Sequence, residues 1–457
     1  MKNLFAVLCC FLFSQAITAK VLLPSVISDG MVLQRNADAR IWGWCNPDEV
    51  ITVRTEWDNH EYKVTGNGMA MWEIRVKTPQ AGGPYTILIK GENTILLQNI
   101  LIGEVWLCSG QSNMEMPPVW GILKEEEEIR NANYPDIRLF TVNKMTAETP
   151  QVNVPGNWVS CTPETMKSFS ATAYFFAQQL QNQLHIPIGL INSSWGGTPA
   201  EFWIPAEAFA DNPAVLEAAR NLNPPGYWSD NSGKAFNAMI APLKKLTIAG
   251  VIWYQGEANV GSDVYDQTFA ALITSWRKYW ETDFPFYYLQ IAPYQYDQDN
   301  VGAVIRNAQR KTLQLVPNTA MALTGDIGSE DIHPKDKKSV GVRLANLVLS
   351  NIYKKDIGIV NGPLFKKTII HGHIVAVYFD YGDGLHFKHK KSKQFEIAGA
   401  DGQFYPARAL IQNNVIFLSS GKVKNPKKVR YLWVNDAEAD LFNNANLPAS
   451  TFESVIE

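Results

Sequence analysis

The chain has 457 residues, which is too long for one ordinary hydrophobic core, so we expect two or three domains. Hydrophobic residues make up 46% of the sequence and charged residues 19%, as in a folded globular protein. A net charge of -3 provides no overall field for binding nucleic acid or a membrane surface. Beyond the first 19 residues no apolar stretch reaches the ~18 residues that a spanning helix needs, so membrane insertion is not expected.

Residues 1–19 have the pattern of a signal peptide. Lys2 supplies the positive start, Leu4 to Phe13 form an apolar segment, and Ala16 to Ala19 provide small residues suited to cleavage. We therefore expect a secreted or periplasmic mature protein. Three cysteines remain after this segment, and an odd number allows at most one intramolecular disulfide.

Residues 20–100 predict an N-terminal β-domain. Short segments there mix apolar and polar side chains, largely in alternation, between turns rich in Gly, Pro and Asn. The clearest segments are 39–44, 50–54 and 72–76. Strands of this length and spacing are typical of a β-sandwich.

Residues 101–354 show a different pattern, in which apolar runs alternate with helical segments. The runs are 100–108, 188–192, 248–254, 284–291 and 320–324, and the helical segments are 169–184, 235–245, 264–280, 301–315 and 337–352. Continuous apolar strands separated by helices indicate a parallel sheet that is covered on both faces. The prediction is an α/β domain with a doubly wound, five-stranded parallel sheet.

Residues 355–457 return to strand signals, at 374–379, 409–411, 415–418 and 429–434. No helical pattern accompanies them. A second small β-domain is therefore expected at the C-terminus.

Polar residues follow four of the five predicted strands, directly after each strand ends. These segments are 109–113, 193–198, 255–259 and 325–326, the last of which leads to 331–334. In open α/β sheets the ligand site lies at the carboxyl ends of the strands. The four segments are therefore expected to meet at one site.

Ser112 is the candidate nucleophile of this site. A serine hydroxyl needs a base to take its proton, and a strand-to-helix turn exposes the hydroxyl beside backbone N–H groups. The alternative is a serine that caps the following helix. His333 is the candidate base by elimination, because it follows the last predicted strand whereas the other histidines lie in the flanking β-regions or, for His185, at a helix end.

Further groups in these segments can stabilise a developing oxyanion. Gly196 or Gly197 can offer a backbone N–H, and Gln255 or Asn259 a side-chain amide, although each also suits an ordinary turn. The pattern His371-Gly372-His373 has metal-ligand spacing but no visible third ligand, so no metal is expected.

Four sequence blocks resemble the sialate O-acetylesterase family of SGNH hydrolases. They are IGEVWLCSGQSNMEM at 102–116, SSWGGTPAE at 193–201, WYQGEAN at 253–259 and DIHP at 331–334. Weaker similarity extends to SDGMVLQR at 28–35 and to segments near the C-terminus, 429–433 and 446–452. The resemblance therefore covers nearly all of the expected mature chain.

This resemblance implies an esterase that removes O-acetyl groups from sialic acids or other acetylated glycans through an acyl-enzyme on Ser112. His333 would be the general base, and no cofactor or metal is implied. The oxyanion donors would be the N–H groups of Ser112 and Gly197 together with Gln255. Trp195 and Asn259 are candidate substrate-binding residues in the same blocks.

The acid of the triad is less well defined by the sequence. SGNH hydrolases often carry it three residues before the histidine, at Glu330 here, whereas this branch tends to carry an Asp two residues before it, at Asp331. Asp331 is preferred over Glu330 or a backbone carbonyl. Two other functions use the same features: an acetylxylan-type carbohydrate esterase, and a non-catalytic glycan-binding protein.

Overall fold

The computed structural model describes residues 20–210, 212–222, 232–328 and 330–456. The signal peptide predicted at 1–19 lies outside the described residues. Three regions follow one another along the chain: β-structure, a mixed α/β region and further β-structure. The expectation of an α/β protein with additional β-regions on both sides is confirmed.

The N-terminal region consists of seven strands among the described residues. They are β1 (Val32–Gln34), β2 (Asp38–Trp44), β3 (Val50–Thr55), β4 (Glu61–Thr65), β5 (Met71–Lys77), β6 (Gly82–Lys90) and β7 (Thr94–Gly110). β2 pairs with β5, while β4, β3, β6 and the first half of β7 form a second antiparallel arrangement. In β3 exposed or partly exposed side chains alternate with buried ones, as expected for a strand with one face on a core.

β7 is the strand that connects the two kinds of structure. It has 17 residues and runs without interruption through residue 100, where the sequence predicts a domain boundary. Its first half pairs with β6, and its second half pairs in parallel with β10 and β11 of the central sheet. The N-terminal β-structure is thus joined directly to the strand that ends at Gly110.

The central sheet contains β7 and six further strands. These are β8 (Tyr134–Thr141), β9 (Trp158–Cys161), β10 (Ile188–Ser194), β11 (Gly250–Tyr254), β12 (Phe286–Leu289) and β13 (Thr319–Ala322). The strand order is β13-β12-β11-β7-β10-β8-β9, and every neighbouring pair except β8–β9 is parallel. The five predicted apolar runs correspond to β7, β10, β11, β12 and β13.

The predicted number of five strands was wrong, because seven are present along this path in the described part of the chain. β8 was missed because Pro135, Asp136 and Arg138 interrupt its apolar pattern. Arg138 is buried in spite of its charge and donates hydrogen bonds to the Gly30 carbonyl and to Asn99 Oδ1. β9 has only four residues and pairs antiparallel at the edge, so it gives little periodic signal.

Helices cover both faces of this sheet. The α-helices are α1 (Ser112–Glu115), α2 (Glu125–Arg130), α3 (Pro163–Met166), α4 (Ala171–Leu184), α5 (Pro213–Arg220), α6 (Tyr265–Trp280), α7 (Val301–Leu315) and α8 (Lys337–Asn351). Successive residues of β7 point to opposite faces: Trp106 and Cys108 join the core formed with α4 and α8, whereas Val105 and Leu107 join the core formed with α6 and α7.

Four of the five predicted helical segments match α4, α6, α7 and α8 to within two residues. The fifth, 235–245, is instead a π-helix at Phe236–Ile240 that continues into a 3₁₀ turn at Ala241–Leu243. Pro242 lies in that turn, and because proline lacks an N–H it cannot continue regular α-helical bonding.

The C-terminal region forms a separate set of antiparallel sheets. Its strands are β14 (Leu364–His371), β15 (Ile374–Asp380), β16 (His386–Phe387), β17 (Phe395–Ala398), β18 (Phe404–Pro406), β19 (Arg408–Gln412), β20 (Val415–Ser419), β21 (Lys428–Tyr431), β22 (Leu441–Phe442) and β23 (Phe452–Val455). Two four-stranded sheets have the orders β14-β15-β20-β19 and β18-β17-β21-β23, and β16 pairs with β22. They enclose a hydrophobic core of their own.

Buried Arg306 links this region to α7 of the α/β region. Its guanidinium donates to Thr451 Oγ1 at 3.0 Å, to the Asn435 carbonyl at 3.1 Å and to the Val434 carbonyl. Three acceptors around one guanidinium fix the C-terminal segment against the helix.

The described residues contain no helix with the length and apolar character that a membrane span requires.

Candidate active site

The ends of β10, β7 and β11 lie side by side. Gly110 is the Cα partner of Ser194 on one side and of Tyr254 on the other. The segments that follow these strands therefore leave the sheet at the same edge. The chain turns sharply at this point, with Gly110 at φ +137°. A Cβ on Gly110 would lie 2.2 Å from the Tyr254 carbonyl oxygen, so this position requires glycine.

Ser112 is the first residue of α1 and is half-buried. The N-cap position belongs to Gln111, and no side-chain hydrogen bond caps this helix. The alternative interpretation of Ser112 as a helix cap therefore finds no support. Instead, Gln111 uses its side-chain oxygen to accept hydrogen bonds from the backbone N–H groups of Gly256 and Ala258, at 3.4 and 3.1 Å. This ties the turn of Ser112 to the segment after β11.

The glycine pair after β10 lies against Ser112. A Cβ built on Gly196 would be 3.2 Å from the Cβ of Ser112, so glycine permits this close approach. The backbone N–H of Gly196 donates to Glu115 Oε2 at 2.7 Å, and Lys144 pairs with the other oxygen of that carboxylate at 2.5 Å. Gly197 follows in the left-handed region, at φ +73°. Of the two glycines, Gly196 already has an acceptor for its N–H group.

Asn113 connects the turn of Ser112 to the segment that carries His333. Its side chain is fully buried, and Nδ2 donates to the Ile332 carbonyl at 3.0 Å and to Glu257 Oε1 at 2.6 Å. Because Asn113 directly follows Ser112 and Ile332 directly precedes His333, the bond to Ile332 joins the segments of the two predicted catalytic residues at one edge of the sheet.

Asp331 contacts His333 in two ways. Its Oδ1 lies 2.9 Å from His333 Nδ1 and accepts the backbone N–H of His333 at 2.9 Å. The backbone hydrogen bond is the main cause that lowers the pKa of Asp331 below its ordinary value of 3.8, and the His333 ring and Lys335 act in the same direction. Glu330, the alternative acid, has an exposed side chain. The structure thus places Asp331, the preferred candidate, against the histidine ring.

Two buried ionisable side chains, Lys337 and Glu257, lie on either side of the Asn113 amide. Lys337, at the start of α8, is fully buried and donates from Nζ to Asn113 Oδ1 at 2.5 Å. Burial lowers the pKa of Lys337 from 10.5 to about 7, although the carboxylates of Glu257 and Asp331 oppose that shift. Burial also raises the pKa of Glu257 above its ordinary 4.5, against hydrogen bonds from its own backbone and Asn113 and the charge of Lys337. The amide of Asn113 separates the two groups.

Gln255 and Asn259 are buried, and their side-chain amides make hydrogen bonds within the protein. Gln255 Nε2 donates to the Thr198 carbonyl at 3.3 Å and to Asn259 Oδ1 at 2.7 Å. Asn259 Nδ2 donates to Glu201 Oε2 at 2.8 Å, and its Oδ1 also accepts the Ala200 N–H. The Asn259 amide thus has partners within the protein on both its nitrogen and its oxygen, and a role for Asn259 in substrate binding stays a prediction. An oxyanion role for Gln255 requires one of its two bonds to break.

Trp195 remains the more accessible of the two substrate-binding candidates. It is half-buried, packs edge-to-face on Phe202 at 5.8 Å and donates its backbone N–H to the Gly110 carbonyl. Among the described residues no group of three His, Cys, Asp or Glu side chains is arranged to hold a metal ion.

Comparison with known proteins assigns the family. Residues 102–350 match the family of carbohydrate esterases described as sialic acid-specific acetylesterases. The chain belongs to this family. It is therefore a carboxylic ester hydrolase, and the resemblance carried by the four sequence blocks is confirmed.

Relatives of the esterase share most of its length. The human sialate O-acetylesterase is 32% identical over 415 residues, which cover 82% of this chain and 79% of the human protein. The rat sialate O-acetylesterase is 30% identical over 481 residues, covering 90% and 89%. The crystal structure of a carbohydrate acetylesterase from Xanthomonas citri superposes with a TM-score of 0.86 at 34% identity, over 95% of this chain and 99% of that one.

Three residues of the esterase site escaped assignment from the sequence: Asn113, Glu257 and Lys337. Asn113 and Glu257 stand inside the quoted blocks, where a polar residue in a turn suggests capping as readily as a network. Lys337 lies four residues after His333 and has the ordinary appearance of a lysine on an exposed helix start. Only its burial distinguishes it, because lysine is almost never fully buried without a partner.

Proposed function

We propose that the esterase removes O-acetyl groups from sialic acids or closely related acetylated sugars through an acyl-enzyme on Ser112. The observation that carries the proposal is the bond from Asn113 Nδ2 to the Ile332 carbonyl, which joins the turn of Ser112 to the segment of His333. Family membership supplies the substrate class, since the matched family is sialic acid-specific.

The first half-reaction begins when Ser112 Oγ attacks the acetyl carbonyl carbon while Nε2 of His333 accepts its proton. The resulting imidazolium is stabilised by Asp331, whose Oδ1 is 2.9 Å from Nδ1. His333 then returns the proton to the sugar oxygen as the carbon–oxygen bond breaks, and the deacetylated sugar leaves. Water then attacks the acyl carbon while the same histidine takes its proton. The bond between that carbon and Ser112 Oγ breaks, His333 returns the proton to Oγ, and acetate leaves.

The oxyanion formed in both steps is assigned to the N–H groups of Ser112 and Gly197. Gly196 is not assigned as an oxyanion donor because its N–H already donates to Glu115. Gln255 would join as a third donor by giving up its longer bond, the one of 3.3 Å to the Thr198 carbonyl. Each donor of such a site is typically worth about 10²–10³ in kcat.

Substrate preference tests the sugar assignment. Purified protein is given O-acetylated sialic acid and acetylated xylan at matched acetyl concentrations, and released acetate is followed to obtain kcat/KM for each. The proposal predicts a clear preference for the sialic acid. A clear preference for xylan contradicts the sialate assignment and favours the acetylxylan-type alternative.

Ser112→Ala separates catalysis from glycan binding. The proposal predicts that this variant loses acetate release while it keeps the folded state, as measured by circular dichroism. Full activity in the variant contradicts the acyl-enzyme on Ser112. Absence of esterase activity in the wild type with retained sialoglycan binding supports the non-catalytic alternative.

A further inference from the structure

Lys337 has a place in the fold that the proposed chemistry does not use. Its side chain has no solvent exposure, and its Nζ reaches toward the site from the first turn of α8. A buried ammonium is costly unless it has close partners. Its hydrogen-bond partner is Asn113 Oδ1, at 2.5 Å, on the residue next to the nucleophile.

Asn113 has every polar atom of its side chain engaged by these neighbours. Oδ1 accepts from Lys337, while Nδ2 donates to Glu257 and to the Ile332 carbonyl. Its backbone carbonyl also accepts from Thr172 Oγ1 at 3.2 Å. A primary amide with both hydrogens and the oxygen engaged has one orientation, because a flip would place N–H groups against the ammonium.

The charges around the amide also fix that orientation. The ammonium of Lys337 lies at the oxygen end and the carboxylate of Glu257 at the nitrogen end, which matches the dipole of the amide. The charge of Asp331 acts to raise the pKa of Lys337, and Nζ of Lys337 lies 5.4 Å from the centre of the Tyr254 ring. With Lys337 removed, the oxygen of Asn113 loses its donor, and the orientation of the amide then depends on the acceptors at its nitrogen end alone.

We infer that Lys337 is a positioning residue for catalysis, which acts through Asn113 to hold the segment of His333 in register with Ser112. This inference rests on the proposed function of Ser112 and His333. Because Lys337 is buried away from substrate, it sets the geometry of proton transfer rather than the affinity for the sugar. Misplacing reacting groups by about 1 Å can cost about 10²-fold in rate.

The test compares Lys337→Met with Lys338→Met. Lys338 is the adjacent residue on the same helix, but its side chain is 55% exposed and donates to the carboxylate of Glu128 rather than to Asn113. Active sites are first counted by stoichiometric labelling with a serine-reactive phosphonate, so that kcat refers to folded, competent protein. Lys337→Met is expected to lower kcat per site about 10- to 100-fold with KM nearly unchanged. Lys338→Met is expected to stay within about twofold of wild type.

A double-mutant cycle tests whether Lys337 acts through Asn113. If it does, adding Lys337→Met to Asn113→Leu lowers kcat little beyond the effect of Asn113→Leu alone. Lys337→Gln, which keeps an N–H donor, is expected to recover part of the lost kcat. Should Lys337→Met yield no competent sites, Lys337→Leu, which also lacks a donor, replaces it in the cycle under the same criteria.

Two results overturn the inference: wild-type kcat per site in Lys337→Met, or fully additive losses in the cycle. A failure of the proposed function is distinguishable, since the phosphonate would then leave Ser112 of the wild-type protein unlabelled. When Ser112 is labelled and Lys337→Met retains kcat, only the role of Lys337 is lost.

Discussion

Removal of the Asp331 carboxylate is the perturbation that most sharply tests the assignment of the triad acid. The substitution Asp331→Ala deletes the contact of 2.9 Å with His333 Nδ1 and the hydrogen bond from the His333 backbone N–H, while the side chains of Ser112 and His333 are both retained. The carboxylate sets the tautomer and orientation of the ring and stabilises imidazolium, so its removal lowers kcat more than it raises KM.

The expected loss is smaller than in sites where the acid is buried. There, disabling the acid costs about 10⁴ in kcat. Here the Asp331 side chain is 61% exposed and that of His333 29%, so solvent screens their attraction. An exposed ion pair contributes about 0.2–1 kcal/mol, and an orienting hydrogen bond about 1–1.5 kcal/mol. Together these amount to about 1–2.5 kcal/mol, or roughly 5- to 70-fold in kcat.

The assay measures kcat and KM for acetate release, per phosphonate-titrated site, in wild type, Asp331→Ala and the matched variant Glu330→Ala. Glu330 is adjacent and exposed, and it is expected to change kcat by no more than about twofold. Equal losses in the two variants, or none in Asp331→Ala, would refute this assignment of the acid.

The pH range of this contact follows from the lowered pKa of Asp331. The folded-state pKa is below 3.8, so the stabilising contact is complete above the unfolded value and is lost as pH falls through the folded value. Asp331 is thus ionised throughout neutral and mildly acidic conditions. Between pH 6 and pH 8 the protonation of Asp331 is therefore not expected to alter the factor by which Asp331→Ala lowers kcat.

Three further predictions concern stability and reactivity. Gly110→Ala is expected to destabilise the fold by about 3 kcal/mol or more, because residue 110 has a positive φ and an added Cβ would lie 2.2 Å from the Tyr254 carbonyl oxygen. Gly68→Ala, which has open space around it, is expected to change the free energy of unfolding in urea by under about 0.5 kcal/mol. Burial raises the pKa of the Cys108 thiol well above its ordinary value, so a thiol reagent is expected to label Cys108 only after denaturation and to leave the esterase activity of the native protein unchanged. Rapid labelling of Cys108 in the native protein would contradict this. Arg306→Met is expected to cost about 2–4 kcal/mol by leaving buried acceptors unpaired, and the exposed neighbour Lys311→Met under about 0.5 kcal/mol; similar thermal denaturation of both variants would refute the linking role of Arg306.

The sequence predicts the central strands well where side chains on both faces are apolar. β7, β10, β11, β12 and β13 are of this kind, and their neighbours along the chain are long amphipathic helices. β8 escaped because buried Arg138 looks like a surface residue until its acceptors at Gly30 and Asn99 are known. Those acceptors come from distant parts of the chain, so local periodicity contains no information about them.

The sequence predicts which residues belong to the candidate site and at which edge of the sheet they lie. It does not predict the hydrogen bonds of their side chains. Ser112 and His333 follow from the rule that loops at the carboxyl ends of parallel strands converge. Asn259 is a substrate-binding candidate from the sequence, and the structure adds that it is buried and donates to Glu201. The inward or outward direction of such an amide depends on partners from several segments, which the sequence pattern around Asn259 does not specify.

Covalent labelling tests the central claim most directly. Wild-type protein is treated with a serine-reactive phosphonate and digested, and the modified peptide is identified by mass spectrometry. The account predicts one modified serine, Ser112, with loss of esterase activity in proportion to labelling and much slower labelling in His333→Ala. Labelling of a different serine in step with inactivation, or full inactivation with Ser112 unmodified, would contradict it.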